Sequence, residues 1–95
     1  MTGTTRSSEG LDTRRRRLLY HAWHRGTREM DLIMGRFADV EIGTLTEAEL
    51  DVFERLSALP DPELYAWITG KRPVAPEHDT EIFRRLRAFA DRGSK

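Results

Sequence analysis

From Leu18 to Phe89 the apolar side chains recur three and four residues apart, and no stretch alternates with period two for long. That spacing lines hydrophobic groups along one stripe of an α-helix, so the chain reads as all-α. Asp12 suits the N-cap of a first helix running to about His24, with Leu18, Leu19, Ala22 and Trp23 facing inward. Gly26 ends that helix, because the position after a helix often needs positive φ. Thr27 can cap a second helix from about Arg28 to Val40, whose Met30, Ile33, Met34 and Phe37 fall at i, i+3, i+4 and i+7. Gly35 inside this helix costs about 1 kcal/mol relative to alanine. Tight packing against a neighbouring helix would explain it.

The third helix has the clearest start. Thr46 and Glu49 form a capping box, and Leu45 and Leu50 flank it as a hydrophobic staple, with Phe53 and Leu56 continuing the stripe. Asp61-Pro62 opens a fourth, short helix, Asp61 as cap and Pro62 at the first helical position, where a missing N–H leaves nothing unpaired. Leu64, Trp67 and Ile68 form its apolar face and Gly70 ends it. A last helix from about Glu77 to Asp91 buries Ile82, Leu86 and Phe89, with Phe83 and Ala90 alongside. Five short helices with short connections make a compact five-helix bundle, a single domain over residues 12–91. Residues 1–11 read as a disordered tail and residues 92–95 as a frayed end.

Composition narrows the chemistry. Ninety-five residues suffice for one modest core. The absence of cysteine removes disulfides and thiolate chemistry. No apolar run approaches the roughly 20 residues that span a membrane, and the opening MTGTTRSSEG lacks the apolar region of a secretory signal. His21 and His24 have an acceptable metal-ligand spacing, but no third ligand is placed near them, so they read as a solvated face and no metal site is expected. The sequence holds no GxSxG, Walker loop or GxGxxG, hence no expected catalytic residue and no dinucleotide or phosphate cradle.

Formal net charge is zero, yet the charges are segregated. Residues 1–30 carry seven basic and three acidic side chains, residues 31–63 carry two and nine, and residues 64–95 carry seven and four. The run Arg14-Arg15-Arg16-Arg17 raises the alternative of a small helical DNA-binding protein, since phosphate binding needs a basic surface. Four consecutive helical residues point in four directions, about 100° apart, and the acidic middle repels phosphate. Pairing of these arginines with the acidic segment is the preferred reading.

The corner Arg25-Gly26-Thr27-Arg28-Glu29 is the most informative place. Gly26 lets the chain turn sharply, bringing Arg25 at the end of one helix and Glu29 in the first turn of the next to one vertex, with Asp31 close behind. Structural explanations exist for each. Arg25 would complement the C-terminal end of the first helix and Glu29 the N-terminal end of the second, each by about 0.3–1 kcal/mol, and Asp31 could simply be exposed.

Arg25-Gly-Thr-Arg-Glu29 also matches the RGxxE motif of the small five-helix proteins that promote covalent FAD attachment to succinate dehydrogenase. The stretch RGTREMDLIMGRFAD, Arg25 to Asp39, resembles the bacterial form of the motif and the helix after it. Asp61-Pro-Glu-Leu-Tyr-Ala-Trp-Ile68 is similar to that family's second signature, a DxxL–W pattern on the fourth helix. The resemblance covers about Asp12 to Ala90. It implies a non-enzymatic assembly factor, bacterial and cytoplasmic, that binds the flavoprotein subunit of succinate dehydrogenase, with that of fumarate reductase as a second candidate client. It implies no stably bound cofactor, FAD being handled on the partner. Arg25, Gly26, Arg28, Glu29 and Asp31 would form the docking surface, with Arg25 its anchor, while Leu64 and Trp67 of the second signature serve the core. No nucleic acid partner, no membrane insertion and a monomeric free state are expected with it.

Overall fold

In the computed structural model, residues 10–93 are described, and they form five α-helices and one short 3₁₀ turn around one core. Helix α1 spans Thr13–Trp23, α2 Arg28–Glu41, α3 Glu47–Ser57, α4 Asp61–Ile68 and α5 Glu81–Gly93. The caps expected for the first three are present. The Asp12 carboxylate accepts from the Arg15 N–H at 2.8 Å, and the Thr27 hydroxyl accepts from the Met30 N–H at 3.3 Å. Both bonds of the capping box close: Thr46 Oγ1 accepts from the Glu49 N–H at 3.1 Å, and Glu49 Oε1 accepts from the Thr46 N–H at 2.9 Å. Leu45 and Leu50 beside it are buried.

Two helix starts differ from expectation. The N-cap of α4 is Pro60, not Asp61, and no side chain caps it. Asp61 stands at the first helical position with its carboxylate turned to Arg25 instead. The run from Glu77 to Asp91 is also not one helix. Pro76–His78 makes the 3₁₀ turn, Asp79 leaves helical geometry at ψ 69°, and the Thr80 hydroxyl accepts from the Phe83 N–H at 3.2 Å to open α5. A capping hydroxyl competes locally with helix continuation, and here it sets the register that buries Phe83 fully and leaves Phe89 half-buried.

The ends differ slightly as well. Leu11 is buried, so the packed chain starts before Asp12, and α5 carries Arg92 and Gly93. Residues 1–9, read as tail, and residues 94–95, read as frayed, lie outside the described residues.

The core stacks Phe37, Phe53 and Phe83 with Met30, Met34, Leu50, Leu56, Leu64 and Leu86, all inaccessible to solvent or nearly so. Helices α1 and α2 pack most closely, and Gly35 explains how. A Cβ built on Gly35 would lie 2.5 and 2.7 Å from Cε2 and Cε3 of Trp23, so the indole rests directly on the α2 backbone. The Trp23 Nε1–H donates to Asp39 at 3.1 Å, completing the same contact. Trp23 is the last residue of α1, so this packing also fixes where the corner after it begins.

The segregated charges turn towards one another. Arg14 reaches Glu47, Asp51 and Glu54 along α3 at 2.6–3.2 Å. Its guanidinium pKa is raised, first by the hydrogen bonds it donates to Asp51 and Glu54. Arg15 donates to the Ile42 and Leu45 carbonyls at 2.9 and 2.5 Å and pairs with Asp12 at 2.9 Å. Arg85 of α5 spans Glu41, Glu49 and Glu81.

Candidate docking site

Thr27 caps α2, Trp23 on Gly35 anchors the end of α1, and the three residues between them, His24 to Gly26, make the turn. Gly26 adopts φ +116°, a conformation L-residues rarely hold. A Cβ there would meet nothing within 4 Å, so its demand for glycine is conformational, not steric.

Arg25 and Asp31, expected on the outer surface, form the inner frame of this turn. The Arg25 side chain is only 8% exposed. Its Nε and one terminal nitrogen donate to Asp61 Oδ1 at 2.8 and 2.6 Å, and that nitrogen also donates to the Leu59 carbonyl at 2.9 Å. The other terminal nitrogen donates to the Ser57 carbonyl. These carbonyls lie at the C-terminal end of α3 and just beyond, where helix carbonyls lack intrahelical partners and carry partial negative charge. The cation thus sits between the negative end of α3 and the Asp61 carboxylate. Expectation had Arg25 complementing the end of α1; the chain turn at Gly26 carries it instead to the end of α3.

Asp31, half-buried, works on the backbone. Its Oδ1 accepts from the Arg25 N–H at 2.5 Å and the Gly26 N–H at 3.3 Å, and its own N–H donates to the Thr27 carbonyl at 2.9 Å. One carboxylate therefore holds the two amides on which the chain reverses.

Gly26, Thr27, Arg28 and Glu29 remain exposed on the outer surface of that frame. Glu29 and Tyr65 border two adjoining grooves. The first, of about 410 Å³, runs past Thr27, Met30 and Pro62. The second, of about 290 Å³, lies between α2, α4 and α5 and is walled by Leu32, Ile33, Ile68 and Phe89. A lip of mixed charge, Glu29 and Asp91 with Arg36, above a largely apolar floor suits recognition of a polypeptide: apolar side chains supply contact area and the charged rim supplies orientation.

The sequence alone did not reveal Asp61, Ser57 and Leu59 as parts of this site. The signal was available in the second signature, whose aspartate invites reading as a helix cap because proline follows it. The histidines take another course. His24 Nδ1 shares a hydrogen bond with the Tyr20 carbonyl at 2.7 Å, and its ring stacks on Tyr20 at 3.9 Å. Among the described residues, no three His, Cys, Asp or Glu side chains are grouped to hold a metal, and no helix is long and apolar enough to cross a membrane.

Residues 16–90 match the Sdh5 family, described as flavinator of succinate dehydrogenase. The chain belongs to this family. Among flavinator-family proteins it is 40% identical over 80 residues to the FAD assembly factor SdhE of Acetobacter pasteurianus, a match covering 84% of this chain and 73% of that protein. It is 38% identical over 74 residues to the mitochondrial succinate dehydrogenase assembly factor 2 of Dictyostelium discoideum, covering 78% of this chain and 52% of the relative. The corresponding protein of Mycosarcoma maydis is 42% identical over 69 residues, covering 73% and 29%. The chain thus spans about half or less of those two mitochondrial proteins. The DNA-binding alternative gains no support, since Arg14 and Arg15 are engaged within the fold. Both flavinator signatures meet in the matched region, joined through Arg25 and Asp61.

Proposed function

We propose that this chain is an assembly factor that docks, through Gly26–Glu29 and the grooves beside Glu29, on the flavoprotein subunit of succinate dehydrogenase and promotes covalent attachment of FAD there. The observation that carries this reading is the exposed Gly26-Thr27-Arg28-Glu29 edge on a rigid internal frame, in a chain of the flavinator family. A fumarate reductase flavoprotein presenting the same surface would be a second client. The flavin stays on the client, and the factor works in the bacterial cytoplasm as a monomer without a bound cofactor.

The factor contributes no reacting group on this reading. It binds one arrangement of the client better than others and so raises the population in which the client's own nucleophile and the flavin are aligned. Only the difference in affinity between arrangements matters, and holding reactants in near-attack geometry accounts for large rate effects without an added catalyst. The surface is sufficient: a standard interface takes about 800 Å² from each partner, a small share of the 5896 Å² this molecule exposes.

Capture on the immobilised chain from lysate of a succinate dehydrogenase-producing bacterium tests the reading. The expected outcome is a flavoprotein subunit held by the wild type and released by Glu29→Ala. Equal capture by both would contradict the assigned surface.

A further inference from the structure

The two sequence signatures meet at one point, and the chemistry there argues against a direct role in recognition. Arg25 makes four side-chain hydrogen bonds, all to the α3–α4 junction, and shows almost nothing to solvent. For a client to grip that guanidinium, the bonds to Asp61 and to the end of α3 would have to break first. Asp61 is 17% exposed, and its Oδ1 takes two of the four bonds.

We propose that Asp61 is a positioning residue for docking: with Arg25 it locks the α1–α2 corner onto the α3–α4 junction, so that Gly26–Glu29 are presented in the one shape the client reads. This rests on the docking function proposed above and adds a residue and a division of labour to it. Arg25 and Asp61 hold, Asp31 fixes the amides of the turn, and Gly26 to Glu29 touch the partner. The geometry favours holding over touching because the pair ties together segments that the sequence separates widely. Asp61 also lines the groove beside Thr27 and Glu29, but its Oδ1 is turned to Arg25 and takes two of that guanidinium's bonds.

A pair that acts as one unit gives non-additive losses, whereas two independent contacts give losses that multiply. The full chain, with Arg25→Ala, Asp61→Asn, the double variant and Asp61→Glu, would be titrated against purified, FAD-loaded but unlinked succinate dehydrogenase flavoprotein subunit. Hydrogen exchange of the Arg25 and Gly26 amides would be read in the free variants. The expected result for Asp61→Asn is binding at least tenfold weaker and faster exchange at both amides, with a cooperative melt retained. The double variant should bind no worse than the weaker single variant, and Asp61→Glu should recover part of the loss.

Wild-type affinity in Asp61→Asn, or losses that multiply in the double variant, would overturn the proposal. So would exchange unchanged at the corner, or a variant that no longer melts cooperatively. If Asp61→Asn binds normally while Glu29→Ala does not, the docking function stands and the positioning role fails. If the wild-type chain does not bind that subunit, the docking function fails and the positioning role with it.

Discussion

Gly26 and Glu29 separate what a residue does for its own fold from what it does for a partner. Gly26 stands at φ +116° with open space around it. Any side chain there is strained by the backbone, and a long one also covers the exposed edge. Gly26→Arg is expected to retain most of its far-ultraviolet helical signal and to lose client binding; binding like wild type would remove Gly26 from the site. Glu29 is exposed, so Glu29→Ala should change stability by less than about 0.5 kcal/mol, the usual range for such a surface position, while weakening capture. A large fall in its melting temperature would make Glu29 structural. Arg25→Ala should weaken capture as well but, unlike Glu29→Ala, should also lose about 3–5 kcal/mol in chemical denaturation, because it leaves Asp61 near the interior without its counter-ion. The residues of the corner could be listed from the sequence, but not which way each would face. Direction depends on where the end of α3 and Asp61 arrive in space, and local spacing carries no trace of that.

At the level of elements, local rules succeeded where the partner lay within a few residues. Thr46 and Glu49 satisfy one another across three positions, so their capping box was visible before any fold was known. The start of α5 escaped because Thr80 is a weaker signal than the apolar stripe running through it, and the Asp61 cap failed because a distant arginine took its carboxylate. Gly35 was noted as a cost with a packing explanation, and Trp23 supplies that explanation. Gly35→Ala should therefore destabilise the fold by about 1–3 kcal/mol, the range for overpacking, despite alanine's better helix propensity; a gain in melting temperature would contradict the close α1–α2 contact. The capping box also predicts a pH dependence. The Glu49 carboxyl is held below its ordinary 4.5, chiefly by the Thr46 backbone N–H and further by Arg85. Folding thus favours the ionised form, and this contribution is in full force above pH 4.5 and lost as pH falls through the lowered value. Glu49→Gln should flatten the acid limb of the unfolding free energy against pH, and an unaltered slope below pH 4.5 would exclude the cap as its source.

Across the whole molecule, arginines tie successive helix ends together: Arg15 holds the end of α2, Arg25 the end of α3, and Arg85 joins α5 to both α2 and α3. The charge blocks seen in the sequence are thus partly satisfied internally. That leaves one corner where a rigid frame presents an exposed edge beside a half-buried apolar groove. All-α architecture, helix number and the location of the corner were legible from periodicity and punctuation, whereas the ionic links between helices depend on packing. The central claim is that this exposed edge drives flavin attachment on another polypeptide. Purified succinate dehydrogenase flavoprotein subunit, loaded with FAD but unlinked, would be followed for covalent flavin by in-gel fluorescence after denaturation, with and without the chain. The account predicts faster linkage with the wild type and a rate near the unassisted one with Glu29→Ala; equal rates with and without the wild-type chain would contradict it.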